Sequence, residues 1–414
     1  MKDKATQHLL FIAPASIPVN GAEAIVNIKL LRLLVSKGYQ IDVISKKARW
    51  EHYPLMQEEK LIKKLSSVTI IEVDNKVGFK TLWLHLRAWM RFKVLFKGVH
   101  WAFLASKKVE DLVSKNSYMC VLTKNYPSEL VGCWSKKKYG LPWVATWNDP
   151  YPHERYPRPY GKGPQTQLPL LKRPILEQMS KYPNAHIFPS LRLCNYMQSY
   201  LHAEVNKLYV IPHIVESVAN SSSLECPDQN KVVLKICYLG SLDGPRQPWT
   251  MLEAIEKIHQ SQLSISIKVD FVGTIPNGMT QFIQDKKLEN IVSAFPPVSY
   301  KESLDLLRKY DVALIIEAPC EEGVFLPSKV SDIMEVELPI FAISPKIGVL
   351  NDLFVNKNIQ YFSDVTDIES IYQEFQRLMN DFNEKRISIP IIPDDYKSDN
   401  IAKQYDYIIE NCSK

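Results

Sequence analysis

The stretch His8-Leu-Leu-Phe-Ile-Ala-Pro-Ala-Ser-Ile-Pro-Val-Asn-Gly21 opens on an apolar run of strand length and continues into a loop punctuated by Pro, Asn and Gly. From Ala22 to Lys37 the residues Ile25, Ile28, Leu31, Leu34 and Val35 recur at helical spacing. Gly38 stands where a left-handed residue closes a helix, and Gln40 to Ser45 is a strand again. Strand, helix and strand in this order make a βαβ unit, so the sheet is parallel.

The same grammar continues outward. Further strands are expected at Val68–Val73, Met119–Thr123, Trp143–Trp147, Ala185–Phe188 and Leu208–Ile211. The stretch 213–231 is polar, with Ser, Asn and Pro, and reads as a linker. A second series then begins with strand Val232–Leu239, loop Gly240–Pro248 and helix Trp249–His259. Strands at Ile265–Val272, Ile291–Ala294, Val312–Ile316, Ile340–Ile343 and Gln360–Phe362 follow, with helices that include Tyr300–Lys309 and Pro327–Val336. The expected architecture is α/β: two doubly wound, Rossmann-like domains facing across a cleft, spanning 1–212 and 232–393. A last helix within 394–414 is expected to pack back on the first domain.

Composition agrees with this reading and excludes others. A chain of 414 residues is long enough for two or three domains, and 46% hydrophobic content argues against disorder. No run of about 18 apolar residues suggests a membrane span. Leu9 to Ala13 is too short for a signal peptide's apolar core, so a cytoplasmic protein is expected. The seven Cys are scattered without a C-x-x-C, which fits reduced thiols rather than a zinc site or a disulfide framework.

In open parallel sheets ligands bind beyond the carboxyl ends of the strands, so the loops there are the candidates. Pro14 to Gly21 is either an ordinary βα loop or an anion-approach loop ending on Gly21, and it lacks the dinucleotide G-x-G-x-x-G. Tyr238-Leu-Gly-Ser-Leu-Asp-Gly-Pro-Arg246 offers Gly240 for close approach and a permanently charged fork at Arg246, a pairing suited to a diphosphate. In Glu321-Glu-Gly-Val-Phe-Leu-Pro-Ser-Lys-Val-Ser-Asp332, Pro327 suits a first helical turn, which would put Ser328 and Lys329 at a positive helix end. Asp332 falls on the face of Lys329, either to accept from a ribose diol or as a surface ion pair.

Together these segments resemble glycosyltransferase family 4, which has the GT-B fold and is often found in capsule and lipopolysaccharide assembly. The family's P-S-K-L-F-E-Y-L-A-A-G-K-P is matched without a gap by P-S-K-V-S-D-I-M-E-V-E-L-P, ending at Pro339. Its glycine loop after the first strand of the second domain is matched by G-S-L-D-G-P-R, its G-A/G-E junction by Pro18-Val-Asn-Gly-Ala-Glu23, and its V-I-P-N by Val-Ile-Pro-His213. The resemblance implies that Gly240, Arg246, Ser328 and Lys329 hold a donor diphosphate and that Asp332 takes the place of the ribose-binding glutamate. It also implies that Glu321 or Glu322 meets the donor sugar, because Val324 stands where the family has the first acid of its pair. On the acceptor side it points to Gly21, Asp149, His153 and His213. Asp149 equally suits a turn cap, and lone histidines are more often structural.

The activity implied is retaining transfer from a nucleotide-diphosphate-sugar to a glycan or lipid-linked acceptor. No other cofactor and no metal are expected, and no D-x-D occurs in the chain. A nucleotide-sugar 2-epimerase and a non-catalytic domain binding a glycan or partner are the alternatives on this fold. A final feature is the stretch between Asp74 and Glu110, which contains no acidic residue. Its Lys80, Trp83, Arg87, Trp89 and Arg91 suit either a core helix with a basic solvated face or a helix lying on anionic lipid. Nucleic acid is not expected, since a net charge of +6 comes without an RNA-binding motif.

Overall fold

The computed structural model describes residues 7–19, 21–47, 65–74, 78, 81–124, 126–216, 233–261 and 266–413. They divide into two compact units. The N-terminal unit comprises 1–155, 164–214 and 395–414, and the C-terminal unit comprises 156–163 and 215–394. The expected linker lies mostly outside the described residues, and a short segment from within the first half belongs to the second unit.

In the N-terminal unit the strands are β1 (His8–Ile12), β2 (Gln40–Lys46), β3 (Val68–Val73), β4 (Cys120–Lys124), β5 (Trp143–Thr146), β6 (Ala185–Phe188) and β7 (Leu208–Val210). They form one sheet in the order β3-β2-β1-β4-β5-β6-β7, and every pairing is parallel, with Leu10 opposite Asp42 on one side and Val121 on the other. The helices are α1 (Ala22–Ser36), α2 (Thr81–Phe92), α3 (Val99–Val113), α4 (Ser128–Tyr139), α5 (Pro174–Lys181) and α6 (Leu191–Leu201). Every residue of β4 and β6 is buried because helices cover both faces of a parallel sheet, and such strands are mostly apolar.

The C-terminal unit repeats the plan with β8 (Val233–Leu239), β9 (Ser266–Val272), β10 (Val292–Phe295), β11 (Val312–Ile316), β12 (Ile340–Ser344) and β13 (Tyr361–Asp364). The order is β10-β9-β8-β11-β12-β13. Its helices are α7 (Trp249–Gln260), α8 (Met279–Asp285), α9 (Tyr300–Leu307), α10 (Lys329–Glu335), α11 (Val349–Val355) and α12 (Ile368–Asn383). Helix α12 shows why such a segment docks. Asp367 caps it by accepting from the Ser370 amide at 3.0 Å, and Ile371, Phe375, Leu378 and Met379 fall on one buried face. They join Leu234, Ile236 and Tyr238 of β8 in the core, each large apolar side chain contributing about 1.5–3 kcal/mol on burial. The final helix, α13 (Ser398–Ser413), belongs to the N-terminal unit, where the Ser413 hydroxyl donates to the Met119 carbonyl at 3.2 Å.

Both sheets reverse their winding once, between β1 and β4 and between β8 and β11. At such a switch point the loops leave on opposite faces and open a crevice. The loops after β1, β4, β8 and β11 are therefore the ones positioned to bind.

Candidate functional site

In the C-terminal unit the chain leaves β8 through Gly240, whose φ of +129° is open to glycine and strained for other residues. A Cβ there would lie 2.2 Å from Lys329 Nζ, so the missing side chain is what lets the ammonium reach the strand end. Gly273, just past β9, has φ +139°, and a Cβ on it would lie 2.1 Å from the Gly240 carbonyl oxygen. The two loops are then stitched by Gly240 N–H to Val272 O and Leu242 N–H to Thr274 O, both 2.8 Å. A turn at Asp243-Gly-Pro-Arg246, closed by the Arg246 N–H donating to Asp243 O at 3.1 Å, aims Arg246 back toward the sheet. Its Nη2 meets both carboxylate oxygens of Glu317 at 3.2 Å, and Glu317 stands directly after β11. Arg246 Nε is buried and has no hydrogen-bond partner among the described residues.

Helix α10 starts at Lys329, two residues later than the sequence suggests, because Pro327 and Ser328 form a turn closed by Val330 N–H to Pro327 O at 3.0 Å. Ser328 is the helix cap residue, without a side-chain cap bond. The Lys329 ammonium lies 4.6 Å from the Tyr238 ring centroid and 3.5 Å from its hydroxyl. Burial, and then the nearby Arg246 cation, push its pKa down to about 8 against the opposing pull of Glu317, Asp243 and Asp332. Burial is the largest influence on Arg246 and works against its charge, but Glu317, Tyr160 and Tyr238 together outweigh it and raise its pKa. One turn further, Asp332 accepts from the Tyr300 hydroxyl at 2.8 Å. Glu321 is exposed and Glu322 half-buried on the loop before α10, which Gly323 ties to Ile347 at 2.8 Å.

The segment 156–163 closes this cluster from another part of the chain. The rings of Tyr156 and Tyr160 pack on Phe325 at 5.7 and 5.3 Å between centroids. Burial raises the Tyr160 pKa, and its hydroxyl is close enough to feel Arg246 and Glu317.

The N-terminal unit presents a second set of loops. Gly21 begins α1 with φ +149°, and the Glu23 carboxylate in the first turn accepts from the Asn148 amide, drawing the loops after β1 and β5 together. Asp149 follows, half-buried. Lys124 ends β4 almost fully buried, and that burial lowers its pKa while Glu23 acts to raise it. His153 is exposed at the start of a short 3-10 turn, and His213 is buried past β7.

No family model matches the chain, and no curated protein matches it by sequence. Solved structures do match. A glycosyltransferase from Rickettsia africae ESF-5 superposes with a TM-score of 0.68 over 99% of both chains, at 13% identity. Anabaena HepE, solved with UDP and glucose, gives 0.64 over 97% of this chain and 99% of its own, at 13% identity. The lipopolysaccharide outer core galactosyltransferase WaaB gives 0.62 over 98% and 99%, at 10% identity. The chain has the GT-B fold. On this GT-B scaffold the structure brings Gly240, Arg246, Lys329 and Asp332 into one cluster at the β8–β11 switch point.

Some residues of this GT-B chain escape a linear reading. Glu317, Tyr238, Tyr300 and Tyr160 complete the cluster, and only Glu317 carries a signal, as a charge placed directly after a wholly apolar strand. Lys124 gives a weaker signal, as a charge on the last residue of β4. Arg91 corrects an expectation, since it does not face outward. Its guanidinium lies 4.8 Å from the ring centroids of both Phe103 and Trp134, and Nη2 pairs with Glu110 at 3.2 Å. Lys80 lies outside the described residues. Among the described residues no group of three or more His, Cys, Asp or Glu is arranged to hold a metal ion, and no helix is long and apolar enough to cross a membrane.

Glu129, in the first turn of α4, gives the N-terminal unit a pH dependence. It is 3% exposed, its Oε2 has no hydrogen-bond partner among the described residues, and burial pushes its pKa up to about 8. The native state therefore holds a proton that the unfolded chain releases near pH 4.5. Stability falls as pH rises through that window and levels off above about 8. Glu129→Gln is expected to match the wild type near pH 5 and to exceed it by about 2–4 kcal/mol near pH 8. Urea denaturation at the two pH values checks this, and equal stabilities at both would refute it.

Proposed function

We propose that the chain is a glycosyltransferase that moves a sugar from a nucleotide-diphosphate-sugar to a glycan or lipid-linked acceptor in bacterial surface polysaccharide assembly. The observation that carries this is the convergence of Arg246 and Lys329 at the switch point of a GT-B unit, with Arg246 Nε buried and unpartnered. Two cations there suit a diphosphate, whose charge grows as the sugar–phosphate bond breaks. Their contribution is to stabilise that leaving group in a half-buried setting. Asp332, oriented by Tyr300, suits a ribose hydroxyl. Transfer with retention and without a metal or other cofactor fits this arrangement, because the side chains supply the charge a metal would. HepE, solved with UDP-glucose, and WaaB, a lipopolysaccharide outer core galactosyltransferase, support this substrate class and type of pathway. The loops after β1, β4, β5 and β7 are the acceptor side in this reading, with Gly21, Asp149, His153 and His213 on or near them. A cytoplasmic protein in peripheral contact with the inner face of the membrane completes it.

One feature favours a second reading. Val324 occupies the place of the family's first acid, and a chain without it would bind a donor or glycan without transfer. The test is thermal denaturation against UDP, GDP, ADP, CMP and their sugar conjugates. A ligand of the native state raises the melting temperature by mass action, about 2.7 kcal/mol at a hundredfold excess over its Kd. A rise with one nucleoside diphosphate, followed by release of that nucleotide from its sugar conjugate on adding acceptor glycans, is the expected result. No response to any nucleotide would refute donor binding, and binding without release would favour the second reading.

A further inference from the structure

Helix α2 buries Thr81, Ala88 and Phe92 but turns Leu82, Trp83, Leu86, Trp89 and Met90 outward, with Leu82 82% and Trp83 57% exposed. At one turn per 3.6 residues these five side chains span an arc of about 120°, an unbroken apolar stripe. A second exposed apolar element is tied to the chain just past the helix. Leu95 donates its N–H to the carbonyl of Leu171 at 2.9 Å, and Leu171 and the 75% exposed Leu170 form the tip of a turn. That turn is well built. Lys172 and Arg173 donate their N–H groups to Pro169 O at 2.8 and 3.1 Å, and Arg173 Nε donates to Leu168 O at 2.9 Å. The Lys172 ammonium pairs with Glu154 at 2.7 Å. Exposed leucines on a rigid turn gain nothing for this fold and lose hydration-driven free energy.

The charge around the stripe identifies its partner. Arg87 lies 4.0 Å from the Trp83 ring centroid, Lys93 Nζ lies 5.5 Å from that of Trp89, and Arg173 is exposed beside the leucine turn. No acidic residue occurs between Asp74 and Glu110. A second copy of this face would bring like charges together, whereas anionic headgroups neutralise them. Indole rings flanked by cations suit the headgroup boundary, with aliphatic side chains below it.

We propose that α2 and the Leu170–Leu171 turn form one docking surface for an anionic phospholipid bilayer. Trp83 and Trp89 lie at headgroup depth, and Leu82, Leu86, Met90, Leu170 and Leu171 reach the acyl boundary. This deepens the proposed function, whose lipid-linked acceptor would be met at that surface, but it does not depend on donor binding. The test is co-sedimentation of the full chain with phosphatidylcholine vesicles, with and without phosphatidylglycerol. Binding is expected only with the anionic lipid, and to weaken as salt is added. Leu170→Ser with Leu171→Ser, and separately Trp83→Ser with Trp89→Ser, are expected to lower the partition coefficient about tenfold or more. Arg87→Gln with Lys93→Gln is expected to do the same on anionic vesicles and to flatten the salt dependence. All these side chains are exposed except Arg87, which is half-buried, and unchanged melting temperatures would show that the variants fold. Three outcomes overturn the proposal: wild-type chain left in the supernatant, folded variants that sediment like the wild type, and a dimer in gel filtration that the Trp variants dissolve. Each can occur with the nucleotide response intact, so failure here is distinct from failure of the transferase reading.

Discussion

Lys329→Ala is expected to abolish most of the thermal stabilisation that a nucleoside diphosphate gives the wild type, while leaving the fold in place. The ammonium sits against Gly240 and over the Tyr238 ring, paired with no carboxylate closely enough to form a salt bridge among those described. Its removal leaves no buried counter-charge stranded, unlike removal of Arg246, which would strand Glu317. Losing one charge-assisted contact to a diphosphate costs about 1.5–3 kcal/mol, or roughly 10- to 100-fold in Kd. The lowered pKa of about 8 adds a pH signature. A diphosphate favours the protonated ammonium, so wild-type affinity should fall as pH rises above about 8, by up to about tenfold per unit, and Lys329→Ala should be flat there. Isothermal titration with the responding nucleotide at about pH 7 and about pH 9, roughly one unit either side of the transition, reads both effects. Equal affinities for wild type and variant at both pH values would remove Lys329 from the site.

Much of the fold is legible in the sequence because parallel strands covered on both faces must be apolar. Val312–Ile316, buried throughout, has the bounds its composition suggests, while the half-exposed edge strand Val68–Val73 is legible from its β-branched residues instead. What local pattern cannot supply is direction and long-range partnership. Arg87 and Arg91 fall close together on a helical wheel, yet Arg91 turns inward because Glu110, Phe103 and Trp134 wait there, on helices with no local signal for it. Pro327 suits a first helical turn by its φ, but the turn through Val330 delays the helix to Lys329. The site shows the same division. Arg246, Lys329 and Asp332 are visible as charges on loops that follow strands. Glu317 as the partner of Arg246, and Tyr160 as a neighbour of both, depend on chain returns that no spacing encodes.

The glycines at the strand ends give the sharpest separation of stability from binding. Gly273→Ala is expected to destabilise the C-terminal unit by about 3–5 kcal/mol. Its φ of +139° strains any Cβ by about 1–3 kcal/mol, and the new methyl would lie 2.1 Å from the Gly240 carbonyl, a backbone atom held by the sheet. Relief requires the β8 and β9 loops to part, which breaks the Gly240–Val272 and Leu242–Thr274 bonds and displaces Arg246 with them. Gly240→Ala meets a different obstacle. Its nearest atom, at 2.2 Å, is the far end of the Lys329 side chain, which can swing away at little cost beyond the backbone strain at φ +129°. The expected loss of stability is therefore only about 1–3 kcal/mol, but the ammonium is expelled from the strand end and the nucleotide response should fall as far as in Lys329→Ala. Combining Gly240→Ala with Lys329→Ala should then cost no further affinity, because both remove the same contact. Denaturant melts of the three single variants, with nucleotide titration of the double, check this ordering. A Gly240→Ala variant that keeps wild-type affinity would show that the close approach of Lys329 to the β8 end is not what holds the ligand.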